Sequence, residues 1–281
     1  MFYLSKFLIQ MKIILNNNSL LKALRPFNDI GFVPTMGSIH EGHLSLIERS
    51  NRTCKKTIVS IFVNPKQFNN KKDFKNYPTN IKEDIKILKK TKKVDFLYIP
   101  KFKDIYNHNK KSDIKIANKD KILCAKYRKG HFEGVLDVME RLTNLVNPKK
   151  IFMGKKDYQQ YYLLKKYIEK KYPSKIINCK TIRDNKSIAL SSRNLLLKPK
   201  SLVIAANVVK DLKKIKENIN TQKNIKIYLK KESKKLIKKN NIKIEYLEFR
   251  NLKTLKTSNT FKNSRLFIAY YLQNVRLIDN L

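Results

Sequence analysis

Ile30-Gly31-Phe32-Val33-Pro34-Thr35-Met36-Gly37-Ser38-Ile39-His40-Glu41-Gly42-His43 decides the fold of this 281-residue chain. Ile30 to Val33 reads as a buried strand, Gly37 marks a turn, and His40 to His43 opens a helix carried on by Leu44 and Ile47 before polar Glu48 to Asn51. Strand-like runs at Ile58 to Val63, Phe96 to Ile99, Ile151 to Met153 and Ile176 to Asn178 repeat the pattern over roughly the first 180 residues. The spacing of Val135, Val138, Leu142, Leu145 and Val146 gives another helix, stopped at Asn147-Pro148. Strands alternating with helices predict an α/β fold, a Rossmann-like parallel sheet with crossover helices. Ligands of such a sheet bind beyond the carboxyl ends of its strands. Pro34 to Gly37, Asn64 to Phe68, Gly154 to Asp157 and the loop from Arg128 to Gly134 are expected there.

Past Ser191 the pattern changes. Helices over Leu202 to Asn218 and Ile225 to Lys239 precede a strand in which Ile242, Ile244 and Tyr246 face one way and Lys243 and Glu245 the other. Strands at Arg265 to Tyr271 and Val275 to Ile278 follow. A smaller α+β domain over 182–281, beside a catalytic domain over 1–181, accounts for both patterns. Met11-Lys12-Ile13-Ile14-Leu15 reads as the natural first strand, so residues 1–10 are expected to be a dispensable extension.

Composition narrows the function. With 42% apolar residues the chain can fill a core, and no run of 18 apolar residues suggests a membrane span. Cys54, Cys124 and Cys179 are odd in number and lack CxxC spacing, which points to reduced thiols in a cytoplasmic protein and away from zinc. The net charge of +41 invites a nucleic-acid reading. Yet lysines supply most of it and are spread along the chain, whereas base readers use arginine forks and aromatic platforms. No specific nucleic-acid partner is expected. The 6 glycines, all at or before residue 154, sit where backbone would have to approach a ligand closely.

The motifs suggest a phosphate chemistry. His40-Glu41-Gly42-His43 puts two imidazoles on one face of a helix N-terminus, where unpaired N–H groups and the dipole favour anions. A zinc pair lacking its third ligand, or two core histidines, are the alternatives. His43-Leu44 replaces the Lys-Ser/Thr of a P-loop, so this is not a Walker motif. Lys156 can neutralise phosphate and Asp157 can accept from ribose hydroxyls, unless the pair is simply solvated surface. Ser191-Ser192-Arg193-Asn194 offers two hydroxyls and a guanidinium as a phosphate clamp, or a helix cap. Arg128 and His131 add two donors.

Together these segments resemble the pantothenate synthetase family. The resemblance is carried by Val33 to His43, Ser60-Ile61-Phe62-Val63-Asn64-Pro65-Lys66-Gln67-Phe68, Gly130-His131-Phe132-Glu133-Gly134-Val135, Gly154-Lys155-Lys156-Asp157-Tyr158-Gln159-Gln160, Leu190 to Asn194 and Arg276 to Asn280. It implies a nucleotidyltransferase-type enzyme that joins pantoate to β-alanine with ATP and magnesium through a pantoyl adenylate, working as a cytoplasmic homodimer. It further implies an ATP site at Met36, Gly37, Ser38, Ile39, His40, Glu41, Gly42, His43, Gly154, Lys155, Lys156, Asp157, Ile182, Leu190, Ser191, Ser192 and Arg193. Of these, His40, His43, Lys156 and Arg193 would be catalytic, with His43 the proton donor. Gln67 would hold pantoate and lie beside β-alanine, Gln160 would hold pantoate, and Asn64, Arg128 and His131 would complete the substrate side. Glu83 and Asp84 are candidate magnesium ligands. Lys155 stands where the family commonly has Glu, which predicts a slight loss of ATP affinity. A related transferase with another acceptor would lack Gln67 and Gln160, and an RNA-associated protein would bind RNA in a salt-sensitive way without turning over ATP.

Overall fold

Neighbouring residues in the central strands point into two different cores. Phe32, Ile58, Phe96 and Ile151 pack on one face of the sheet, and Val33, Val59, Leu97 and Phe152 on the other. This is why those strands read as continuous apolar runs rather than alternating ones. The computed structural model describes residues 10–106 and 114–281. Its main sheet contains β1 (Lys12–Ile14), β2 (Ile30–Thr35), β3 (Lys56–Ile61), β4 (Phe96–Tyr98), β5 (Lys150–Gly154) and β6 (Lys175–Cys179). All pairs are parallel, in the order β1-β4-β3-β2-β5-β6. The expected strand at Met11 to Leu15 is therefore an edge strand of three residues, while most of the expected extension, residues 1–9, lies outside the described residues. The expected strand Ile58 to Val63 starts and stops two residues earlier, because the chain turns away toward a single helical turn at Pro65–Gln67.

Chain order and spatial order diverge at β2. From it the chain builds outward through β3 and β4, then returns to place β5 on its other side. A crevice opens at such a reversal, outside the carboxyl ends of the two strands. β2 ends in the His40 motif and β5 in Gly154-Lys155-Lys156-Asp157, so topology brings them together.

A second, antiparallel sheet holds β7 (Lys243–Asn251), β8 (Ser264–Leu272) and β9 (Val275–Asn280). Leu266, Ile268 and Tyr270 face the Pro199–Glu217 and Ile225–Asn240 helices through Val208, Leu212 and Leu229, while Phe267 and Ala269 pack into the main core. The alternation expected of Ile244 and Tyr246 fails here. A bulge between them shifts the register, so Tyr246 joins the main core while Ile244 stays with the smaller one. Among the described residues no helix is long and apolar enough to cross a membrane.

Three of the glycines make close approaches within the protein, while a Cβ on Gly130 or Gly154 would meet open space. A Cβ on Gly31 would lie 2.1 Å from Ser50 Oγ, one on Gly42 would lie 2.8 Å from the His40 ring, and one on Gly134 would lie 2.2 Å from the Lys66 carbonyl. In each case the close approach is to the protein itself. The Arg128–Gly134 stretch follows a short helix, Cys124–Tyr127, rather than a strand, and from His131 it is itself the start of the His131–Val146 helix.

Gly134 allows a clear test. Alanine raises helix propensity by about 1 kcal/mol, but its Cβ would strike backbone, and overpacking of this kind costs roughly 1–3 kcal/mol. The clash should win, so Gly134→Ala should melt a few degrees lower, at about 2–4 °C per kcal/mol for a chain of this size. A higher Tm would show that the 65–67 turn moves freely.

Candidate active site

Thr35, the last residue of β2, accepts a bond from Gly37 N through its Oγ1 and donates the same hydroxyl to the Ser60 carbonyl, tying the turn to β3. Gly37 and Ser38 are both left-handed, at φ 83° and 55°. A non-glycine residue in that region is strained, and what holds it is Asp84. The Asp84 carboxylate is buried and accepts from Ser38 N at 2.8 Å and Ile39 N at 2.7 Å. The chain then enters the Glu41–Thr53 helix with His40 as N-cap, Nδ1 accepting from Gly42 N at 3.1 Å. An accepting Nδ1 leaves the proton of a neutral His40 on Nε2. The His43 N–H bonds the His40 carbonyl at 2.7 Å. The helix-start N–H groups expected to receive phosphate are thus largely taken by the protein, and the motif presents side chains instead.

His40 and His43 stack with ring centroids 4.0 Å apart. Burial, then the Lys156 charge, lowers His40 to a pKa of about 4. Burial, then His40 and Lys156, lowers His43 to about 3. At these values both rings are neutral at pH 7, each carrying a single N–H. His43 Nδ1 is buried with no hydrogen-bond partner among the described residues.

The facing walls come from β5, the 182–193 segment and the loop after β3. One cleft of about 1330 Å³, open to solvent, is lined by the stacked histidines, Gln67, Lys156, Gln160 and Arg193. Met36, Gly42, Arg128, His131, Gly154, Asp157, Ile182, Leu190, Ser191 and Ser192 line it as well. Lys156 Nζ is 3.1 Å from Asp157 Oδ1. Ser192 Oγ reaches the Ser38 carbonyl at 3.4 Å, joining the clamp segment to the β2 turn. His131 donates Nδ1–H to the Gln67 carbonyl at 2.7 Å, so its Nε2 accepts from Arg128 at 2.8 Å. That pattern requires a neutral ring, and burial followed by the Arg128 charge holds its pKa well below the usual histidine value. His131 therefore orients Gln67 and Arg128.

The profile described as pantoate-beta-alanine ligase matches residues 11–281. The chain belongs to that family. A pantothenate synthetase of Leptospira interrogans serogroup Icterohaemorrhagiae serovar Lai is 42% identical over 259 residues, covering 90% of each chain. One from Flavobacterium psychrophilum is 37% identical over 269 residues, covering 92% of this chain and 94% of its own. Among solved structures, the Thermus thermophilus pantothenate synthetase matches with TM-score 0.89 at 30% identity, over 96% of this chain and 99% of that one. The Francisella tularensis pantoate-beta-alanine ligase, solved with beta-gamma ATP and beta-alanine, matches with TM-score 0.81 at 35% identity, over 96% and 97%.

Several residues that the family resemblance put in the site have other places. Ser38 and Ile39 meet Asp84 rather than the cleft, Gly37 lies in the turn behind it, and Glu41 is exposed at the helix start. Asn64 is buried, taking Lys66 N and Tyr106 OH on Oδ1 and donating to the Gly134 carbonyl, so it supports Gln67 from beneath. Lys155 does not line the cleft; burial and then the Arg265 charge lower its pKa. As a magnesium ligand Asp84 is poorly placed, with both oxygens accepting backbone N–H groups, and Glu83 is an exposed partner of Lys86. Among the described residues no three His, Cys, Asp or Glu gather as a metal site.

Tyr77, which lines the cleft, and Asp73, which holds a cleft arginine, escaped the sequence reading. Asp73 binds Arg193 at 2.9 Å and lies 3.9 Å from Arg128, and Tyr77 sits under Arg193 with its ring centroid 5.8 Å from the guanidinium. An acid and a tyrosine in a polar lysine-rich stretch carry no periodic signal; only the long-range arginine contacts single them out.

The buried histidines predict an acid limb in stability. His40, His43 and His131 stay neutral when folded but would protonate near pH 6.5 in the unfolded chain. The unfolded state then binds more protons as pH falls below 6.5, so stability should be full above that value and decline toward pH 4. Melting temperatures across pH 4.5 to 7.5 should show this slope, and it should be shallower in His43→Asn. An identical slope in that variant would remove His43 from the linkage.

Proposed function

We propose that the chain forms pantothenate from pantoate and β-alanine in two steps, with ATP as the activating substrate. The observation that carries this is the cleft in which Gln67 and Gln160 face the stacked histidines, Lys156 and Arg193. A glutamine amide can donate to a carboxylate and accept from a hydroxyl, which suits pantoate. The cationic and imidazole wall suits a triphosphate.

In the first step a pantoate carboxylate oxygen attacks the α-phosphorus of ATP. The bond to the bridging oxygen of pyrophosphate breaks, leaving pantoyl adenylate. His40 and His43 donate neutral N–H groups to the charge that develops, and Lys156, Ser191, Ser192 and Arg193 hold the departing pyrophosphate. In the second step the β-alanine amine attacks the acyl carbon, AMP leaves, and the amine gives up a proton. The family role of His43 as proton donor becomes, in this reading, hydrogen-bond donation by a neutral ring. Asp73 holds Arg193 until phosphate competes for it. Magnesium, which would neutralise phosphate charge, finds no protein cage among the described residues and would ride on ATP oxygens and water, as that ion commonly does. A division into 1–181 and 182–281, a homodimer and a cytoplasmic location belong to the same proposal.

The order of steps is testable by isotope exchange. Given pantoate and magnesium without β-alanine, the protein should exchange labelled pyrophosphate into ATP, and AMP should accumulate once β-alanine is added. Folded His43→Ala should slow exchange by on the order of 100- to 1,000-fold, the usual cost of one such donor. Exchange that strictly requires β-alanine, or ADP as product, would sink the adenylate mechanism.

A further inference from the structure

β9 ends in two buried polar residues, Asp279 and Asn280, that reach both walls of the nucleotide half of the cleft. Asn280 Nδ2 donates to the Lys155 and Lys156 carbonyls, each at 2.9 Å. Its Oδ1 accepts from Arg265 at 2.7 Å. Because arginine has only donors and a carbonyl only accepts, this arrangement admits one amide orientation. No carboxylate, hydroxyl or aliphatic side chain at 280 could bind all three partners.

Asp279 takes the other wall. Its carboxylate receives a two-pronged bond from Arg183, at 2.7 and 2.8 Å, and accepts from Asn280 N at 2.7 Å. Arg183 also donates to the Ser187 carbonyl at 3.0 Å, across a turn closed by Leu190 N bonding Ile182 O. Ile182 and Leu190 are the cleft residues at the mouth of that turn, and Ser191 to Arg193 follow directly. Two adjacent residues of one strand thus fix the Lys156 loop and the Ile182–Arg193 segment relative to each other.

We propose that Asp279 and Asn280 are positioning residues for ATP, acting through the Lys155-Lys156 carbonyls and through Arg183. This rests on reading the cleft as a nucleotide site. A loop displaced by about 1 Å can cost on the order of 100-fold in rate, so the pair should matter to turnover although neither residue lines the cleft.

The test uses the full chain, with steady-state pantothenate formation measured while ATP or pantoate is varied. Asn280→Ala removes all three side-chain bonds. Asn280→Asp keeps the volume and the Arg265 partner but loses both donors to the carbonyls, so it carries the test if the alanine variant is unstable. In either, the ATP KM should rise about 10-fold or more and kcat should fall, with the pantoate KM within about twofold of wild type. Hydrogen exchange should quicken in peptides covering residues 154–158. Asp279→Asn should instead quicken exchange over residues 182–193.

The positioning role is overturned if folded variants keep the wild-type ATP KM, if both KM values rise in parallel without a change in loop exchange, or if every substitution at 280 abolishes folding. A wild-type protein that makes no pantothenate overturns the reading of the cleft itself. Active wild type with indifferent variants overturns only the role of the tail.

Discussion

Everything at the active site depends on one topological constraint, the reversal of strand order around β2. Because β3 lies on one side of β2 and β5 on the other, the carboxyl ends of β2 and β5 diverge and leave an open crevice. The sheet is buried on both faces, so its strand ends are the natural place for polar groups to converge. The histidine motif, the Gln67 turn and the Lys156 loop all emerge from this edge and line one cleft.

The crevice needs rigid walls, and they are built from buried polar contacts. Asp84 satisfies two backbone donors in a left-handed turn, Asn64 joins Gln67 to the helix carrying Gly134, and His131 links Gln67 to Arg128. Each would be costly left half-made, since a buried polar group without its partner costs about 1–3 kcal/mol. Close packing also explains two of the glycines. Gly31 and Gly134 let helix and strand or helix and turn approach within the protein, which fixes the elements that carry the chemistry.

The electrostatics follow from burial. Neutral His40 and His43 stand beside Lys156 in a partly desolvated cleft, so positive charge is supplied by Lys156, Arg128 and Arg193 and the histidines contribute directed N–H groups. Asp73, bound to Arg193, balances part of that charge before a phosphate arrives. The +41 background of the sequence is a separate matter, spread over lysines along the chain rather than focused on the cleft.

By itself the sequence determined the parallel sheet and the positions of its strands within a residue or two. Period-2 and period-3.6 patterns and strand–turn–helix punctuation are local signals, and local signals survive in a linear text. Only the tertiary structure decided what depends on partners far away in the chain. The bulge that turns Tyr246 toward the main core, the capture of Ser38 and Ile39 by Asp84, the support of Gln67 by His131 and the grip of Asn280 on the Lys155 and Lys156 carbonyls are contacts of that kind. An aspartate free in solution and one clamped on two N–H groups are the same letter; burial and geometry make the first a plausible metal ligand and the second a structural anchor.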